Sequence, residues 1–265
     1  MRIVVCVKQV PNIEEMKNVK TDPKTGTLMR EGVSSILNPF DEFAVEEAIQ
    51  WKEKLGAEVI AITMGPPQAE DVLIKCLSMG TDGAILLSDV DFAGADTVAT
   101  SFTLAAAIRK IGKFDMIFCG QQAIDGDTAQ VGPMLAENLR IPHVTYVNQV
   151  ELVDKSVKAK REVEDGYEVI QCKTPVLLSV IKGINVPRVP SFSSLSEAME
   201  KDIPTWNARN IGVDRNLVGL QASPTIVKKV WTPEIKRKGK ELTGDPSALA
   251  QQLAEILLNL CSPRY

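Results

Sequence analysis

Apolar residues in the first half of the chain fall in short continuous runs separated by stretches of helical period. Residues 2–8, 58–64, 83–88 and 114–119 are runs rich in Val, Ile, Leu or Phe, and each predicts a strand. Continuous runs, as opposed to alternation, predict parallel strands covered on both faces. Between them the spacing predicts helices near 40–55, 67–79, 94–111 and 133–139. In the first helix Ala44, Ala48, Trp51 and Leu55 form one apolar stripe, with Glu46, Glu47, Lys52 and Glu53 elsewhere. Asp41 stands near its start, where a carboxylate suits the helix dipole. Strand and helix alternating at this spacing give a doubly wound, mostly parallel α/β sheet.

The rhythm breaks three times. Between 19 and 37, Thr21–Thr27 reads as a turn flanked by short extended segments, a surface hairpin. From 144 to 181 the pattern becomes strands alone: Val144–Val153, Val157–Val163, Tyr167–Cys172 and Val176–Ile181. Asp165-Gly166 marks a tight turn between the second and third, and the group is expected to extend the sheet with antiparallel strands. After 183, prolines at 187, 190, 204, 224 and 233 break up long elements. A short helix is expected within Ser193–Lys201, an extended arm over 205–245, and an amphipathic helix over 246–260. Asp245-Pro246 supplies the last of these with an N-cap and a proline at the first helical position. Its stripe is Leu249, Leu253, Ile256, Leu257 and Leu260, a face that expects a partner surface. The predicted division is an α/β domain over 1–190 and a recognition helix with C-terminal arm over 191–265.

Composition narrows the function. Hydrophobic content of 45% and charged content of 24% suit a globular protein, and the net charge of −4 argues against nucleic acid as a partner. No apolar run approaches the ~18 residues of a membrane span. Met1-Arg2-Ile3-Val4-Val5 enters a strand at once, which leaves no room for a signal peptide and predicts a cytoplasmic protein. The five cysteines are scattered without a C-x-x-C pair, favouring reduced thiols over disulfides. With His143 as the only histidine, no metal site or histidine relay is expected. Neither a G-x-G-x-x-G fingerprint nor a P-loop is present.

The candidate chemistry lies in Gly120-Gln121-Gln122-Ala123-Ile124-Asp125-Gly126-Asp127-Thr128-Ala129-Gln130-Val131-Gly132-Pro133, between the run 116–119 and the helix near 133–139. A glycine-punctuated strand-to-helix junction presents unpaired N–H groups and the positive end of the dipole, which suits a phosphate. Pro133 predicts a distorted turn over 126–131 in place of a regular first helical turn. The plainer alternative is a loop that only reverses the chain. Cys6 and Met64 end the first two strands, at the edge where ligands collect in open α/β sheets. Lys8 either neutralises a phosphate or ends its strand in solvent. Asn38 either starts a helix or offers its amide to a ligand.

Four blocks in order carry a resemblance. They are Cys6-Val7-Lys8-Gln9-Val10-Pro11, Asn38-Pro39-Phe40-Asp41-Glu42-Phe43-Ala44-Val45-Glu46-Glu47-Ala48, the loop 120–133, and Val186-Pro187-Arg188 with Ile211-Gly212-Val213-Asp214. Together they resemble the beta subunit of electron-transfer flavoproteins over about residues 1–215. The resemblance implies a heterodimer with an alpha subunit and a flavodoxin-like, adenine-nucleotide-binding domain. It places Cys6, Asn38, Met64, Gly120, Ala123, Asp125, Gly126, Asp127, Thr128, Ala129, Gln130 and Val131 at the nucleotide. Phe40 and the segment near Ile13 are placed near the other flavin, held mainly by the alpha subunit. The segment 184–204 matches the loop that docks on partner dehydrogenases, with Phe192 and Leu195 as its apolar contacts.

Family members that bind only AMP carry consecutive aspartates where this chain has Asp125-Gly126-Asp127, so the loop looks like that of the electron-bifurcating group, which holds FAD. Gly126 removes a side chain and a charge beside the pocket, both of which suit a pyrophosphate. The resemblance thus implies FAD as cofactor, NADH as donor, and ferredoxin or flavodoxin and a flavin-containing dehydrogenase as partners, with structural AMP the alternative. The segment Ser196–Asp202 departs from lysine-rich relatives, so its dehydrogenase need not be theirs. Outside the family, a nucleotide-binding regulatory module or an adenylating enzyme of related fold would share this α/β pattern.

Overall fold

The computed structural model describes residues 1–12, 15, 20–21, 28–29, 34–154, 156–228, 239 and 241–261. In chain order the elements are β1 (Arg2–Cys6), β2 (Gln9–Pro11), β3 (Lys20–Thr21), β4 (Leu28–Met29), β5 (Ser35–Leu37), α1 (Pro39–Leu55), β6 (Glu58–Met64), α2 (Glu70–Met79) and β7 (Gly83–Leu87). There follow α3 (Thr97–Ile111), β8 (Met116–Gly120), α4 (Val131–Leu139), β9 (His143–Val153), β10 (Ser156–Val163), β11 (Gly166–Lys173), β12 (Val176–Val180), α5 (Phe192–Met199), β13 (Thr205–Trp206) and α6 (Pro246–Cys261).

One nine-stranded sheet runs β11-β10-β9-β12-β8-β1-β6-β7-β13. All pairings from β9 through β13 are parallel, and only β10 and β11 run antiparallel to their neighbours. The apolar runs explain why. Ile3 and Val5 of β1, with Val7 just after it, join a core with Val45, Ala48 and Trp51 of α1 and Val72 and Leu73 of α2. Val4 and Cys6 face the opposite core, with Leu104 and Ile108 of α3 and Leu135 of α4. Both faces of the strand are buried, so no residue of the run alternates with a polar one. From β1 the chain steps to β6 and β7 on one side, then crosses to β8 on the other. The switch point therefore lies between β1 and β8, where Cys6 stands opposite Cys119.

Several expectations shift. Of the four strands between 143 and 180, β12 is inserted parallel between β8 and β9, because its all-apolar Val176–Leu178 needs cover on both faces. The tight turn sits at Glu164-Asp165, with Gly166 (φ 150°) already paired to Val163. The α4 helix starts at Val131, two residues earlier than predicted, since Pro133 occupies a first-turn position that needs no N–H. Glu46 and Glu47 are not on a solvated face: they are 4% and 6% exposed, while Leu55 is exposed. Strands β3 and β4 pair as the expected hairpin, and its turn at 22–27 lies outside the described residues.

The chain forms two compact units, Met1–Lys229 and Val230–Tyr265. Residues 191–229 stay with the first unit because α5 packs on α2 with Ala198 in the core, and β13 pairs with β7. In the second unit Asp245 caps α6, its Oδ1 accepting from Ser247 N at 2.9 Å and Ala248 N at 3.0 Å.

Candidate functional site

A cavity of about 920 Å³ opens at the carboxyl edge of the sheet, over the switch point. That is where open α/β sheets leave a crevice, because the helices depart in opposite directions from neighbouring strands. Its volume is near the top of the range of about 300–1,000 Å³ for small-molecule sites. Of the residues expected at a nucleotide, Cys6, Asn38, Met64, Gly120, Ala123, Gly126, Thr128, Ala129, Gln130 and Val131 all line it. Asp125 and Asp127 do not, and neither does Phe40, which was expected near the other flavin. Phe40 lies beneath Gly120, Asp125 receives Lys8, and Asp127 accepts a hydrogen bond from the amide of Gln122. Ile13 lies outside the described residues.

The loop from 120 to 130 is held by a corner built from the end of β1 and the start of α1. Asn38, 1% exposed, donates from Nδ2 to the Gln122 carbonyl at 2.9 Å and accepts at Oδ1 from Ile124 N at 3.2 Å. Asp41 accepts at Oδ2 from Lys8 N at 2.8 Å and at Oδ1 from Gly120 N at 3.0 Å. Lys8 Nζ reaches both oxygens of Asp125, at 2.6 and 2.8 Å. Thus Asn38 both starts the helix and binds the loop, and Lys8 has a partner at the pocket wall. Burial pushes Asp41 up to about 7, against the opposing pull of the Lys8, Asn38 and Gly120 hydrogen bonds. The thiols of Cys6 and Cys119 are raised far above their ordinary range, first by burial and then by nearby groups that include Asp41. They are inert apolar wall, not nucleophiles.

Besides the start of α1, the starts of α3 and α4 face the cavity, and these two differ. The first turn of α3 is already satisfied: Asp96 Oδ1 accepts from Val98 N at 3.0 Å and Ala99 N at 3.1 Å. The first turn of α4 has no side-chain cap. Just before it, Asp127 and Ala129 hold φ of 54° and 53°, a region that non-glycine residues rarely occupy. Ala129 is followed by right-handed Gln130 (φ −99°, ψ −28°). Successive residues of opposite hand curl the backbone into a concavity of N–H groups, the arrangement that cradles anions. Strain of this kind gathers at ligand sites because the surroundings enforce it. Lys8 is the one cationic side chain among the described lining residues.

Sequence reasoning missed the opposite wall. Ser88, Asp89, Val90, Ala95, Thr97 and Thr100, from the end of β7 to the start of α3, line the cavity opposite the 120–130 loop. Their position after a third parallel strand was the available signal. Away from the cavity, Phe192 is 94% exposed and Leu195 39% exposed, with Val186 and Val189 also open. Arg188 fixes this segment to α1, its Nε at 2.8 Å from Glu46 Oε2 and its Nη1 at 2.6 Å from Glu53 Oε1. Asn185 adds a bond to Glu47 at 3.0 Å.

An open, doubly wound α/β protein with a switch-point cavity and an uncapped helix start suits a small anionic ligand. Comparison with known proteins narrows the class. The profile of the "Electron transfer flavoprotein domain" family matches residues 25–210. The chain is 53% identical over 240 residues, 91% of both chains, to "Electron transfer flavoprotein subunit beta" of Clostridium acetobutylicum. It is 52% identical over 245 residues, 92% of both chains, to "Caffeyl-CoA reductase-Etf complex subunit CarD" of Acetobacterium woodii. Identity to "Protein FixA" of Azotobacter vinelandii is 42% over 265 residues, 97% of this chain and 93% of that one. The chain belongs to the electron transfer flavoprotein family, as a beta subunit.

Proposed function

We propose that this subunit pairs with an alpha subunit and holds FAD in the switch-point cavity, as part of an electron-bifurcating flavoprotein. The observation that carries the reading is the cavity itself. At about 920 Å³ it suits a dinucleotide, whereas AMP, with fewer than half the atoms of FAD, would leave much of it to water. Gly126 agrees with this. A Cβ there would meet nothing within 4 Å, so the fold does not need the glycine, yet the residue lines the cavity. The concave backbone at 127–130 and the uncapped start of α4 fit a pyrophosphate, with Lys8 able to share its charge between Asp125 and the ligand.

When bound, FAD supplies the redox chemistry, accepting a hydride from NADH and releasing electrons singly. The protein's part is to bind the pyrophosphate, keep the apolar wall of Cys6, Met64, Phe92 and Leu104 against the ligand, and present a docking surface. In this reading NADH is the donor and ferredoxin or flavodoxin takes one electron. A flavin held by the alpha subunit would carry the other towards a flavin-containing dehydrogenase. The reductase named in the complex of the Acetobacterium woodii relative supports a dehydrogenase or reductase partner of that general kind. The exposed segment Val186–Leu195, pinned by Arg188, is the surface assigned to that partner.

The test is the nucleotide content of the co-purified heterodimer after denaturing release and chromatography. Two FAD and no AMP per heterodimer is the expected result. One FAD and one AMP would refute it and leave a single-flavin carrier with a structural nucleotide.

A further inference from the structure

Asp41 is placed where no first-turn carboxylate needs to be. It sits at the third position of α1, is 5% exposed, and turns away from its own helix to bond two other segments. Through Lys8 N and Gly120 N it joins the ends of β1 and β8, the two strands that flank the switch point, to the start of α1. It also lines the cavity, so solvent reaches it when the cavity is open. We propose that Asp41 is the positioning residue of the pocket, tying its three walls together, and that its carboxylate takes up one proton from solvent when an anionic cofactor enters. This rests on the reading that the cavity holds FAD.

The physical reason is charge. A buried carboxylate and a pyrophosphate sharing one cavity repel each other, and protonating the carboxylate relieves that repulsion. Of the other carboxylates among the described lining residues, Asp89 and Asp96 are pushed up by burial but held below their ordinary range by the hydrogen bonds they accept. From β1, β8 and α2 the titratable groups near Asp41 are the buried thiols Cys6, Cys119 and Cys76, all held protonated by burial. Lys8, the cation felt by Asp41, is already shared with Asp125. On α1 itself Glu42 is paired with Lys75 of α2. Asp41 has been raised to about 7 before any ligand arrives, so a further push brings it across the working range. The balance is simple: one O–H bond forms on a carboxylate oxygen, the proton comes from solvent, and the site loses one negative charge. Neutral Asp41 still accepts the two N–H bonds, so the walls stay tied.

The experiment is FAD binding to the full-length chain, followed by flavin fluorescence from about pH 6 to about pH 8.5, where the FAD pyrophosphate does not titrate. Affinity of the natural chain is expected to fall as pH rises, at most about tenfold per pH unit. Asp41→Asn is expected to flatten the profile to within about twofold, because an amide cannot take up the proton. A purely structural role would lower affinity by one factor at every pH, and that result would overturn the proposal. The control is His143→Gln, since the lone histidine opens β9 at the amino edge of the parallel strands, away from the cavity, and this variant should keep the natural profile. Calorimetry of the unaltered chain in two buffers of different ionisation enthalpy counts the protons directly and needs no variant. Net uptake of a fraction of a proton near neutral pH supports the proposal, whereas FAD binding with none overturns it alone. Failure to bind FAD at any pH overturns the cofactor reading and this proposal with it.

Discussion

Replacing Gly120 by alanine puts one methyl where the carboxyl end of β8 meets the start of α1. A Cβ there would lie 2.5 Å from Asp41 Oδ1 and 2.7 Å from both the carbonyl carbon and the Cβ of Phe40. Two of those atoms belong to or adjoin the backbone of a helix start, so no rotamer change relieves the contact. Forcing β8 and α1 apart costs about 1–3 kcal/mol as overpacking. It also stretches the 3.0 Å bond from Gly120 N to Asp41, and a buried polar group left short of a partner costs about 1–3 kcal/mol more. The sum is about 2–6 kcal/mol, or a fall in Tm of about 4–24 °C for a chain of this size. Gly126→Ala is the matched control. Its Cβ meets nothing within 4 Å and its φ is not left-handed, so stability should hold or rise by about 0.4–1 kcal/mol. Urea unfolding of both variants, followed by circular dichroism, measures the difference. Gly120→Ala within about 1 kcal/mol of the natural chain would refute the close approach that builds the pocket floor. Equal damage from the two substitutions would refute the argument that only one of these glycines is required by the fold.

Gly126→Asp should fold normally and retain AMP, while FAD occupancy of the heterodimer falls about tenfold or more through charge and bulk at the wall; unchanged FAD content would sink the assignment. Phe192→Ala should leave stability within about 0.5 kcal/mol, since the ring is 94% exposed, yet raise the KM for the partner dehydrogenase about tenfold. A KM equal to that of the natural chain would move the docking surface elsewhere. Arg188→Met should destabilise by about 1–2 kcal/mol at neutral pH, discounted because the guanidinium is a third exposed. Burial pushes Glu46 up, but the hydrogen bonds and charge of Arg188 outweigh it and hold the carboxyl below its ordinary 4.5. The stabilisation is therefore complete above about 4.5 and lost as pH falls through the lower folded value, so the gap between variant and natural chain should close in acid. A gap that widens in acid would contradict the pairing.

Much of the parallel sheet was legible because its cause is local. A strand buried on both faces must be apolar at every position, as Ile3–Val5 and Met116–Cys119 are, and that run is visible without coordinates. The strand-to-helix loop at 120–133 was legible for the same reason, since Gly and Pro punctuate the backbone wherever they fall. The placement of β12 was not. Its run Val176–Val180 predicts a strand but not its direction or neighbours, which depend on which strand edge remains open once β8 and β9 have formed.

By itself the sequence determined the α/β class and the order of elements in the first domain, and it singled out a loop expected to suit an anion, because periodicity and turn chemistry act over a few residues. The tertiary structure alone decided which groups meet. Asp41 looks like an ordinary helix-start carboxylate until Lys8 N and Gly120 N, 33 and 79 residues away, converge on it. Glu46 and Glu47 look solvated until Arg188 and Asn185 arrive from about 140 residues downstream and make their burial tolerable. The second wall of the cavity, from Ser88 to Thr100, exists only because the crossover from β7 to β8 brings it opposite the loop. Burial and charge pairing depend on the three-dimensional neighbour, and a neighbour set by chain crossing leaves no trace in the residues beside it.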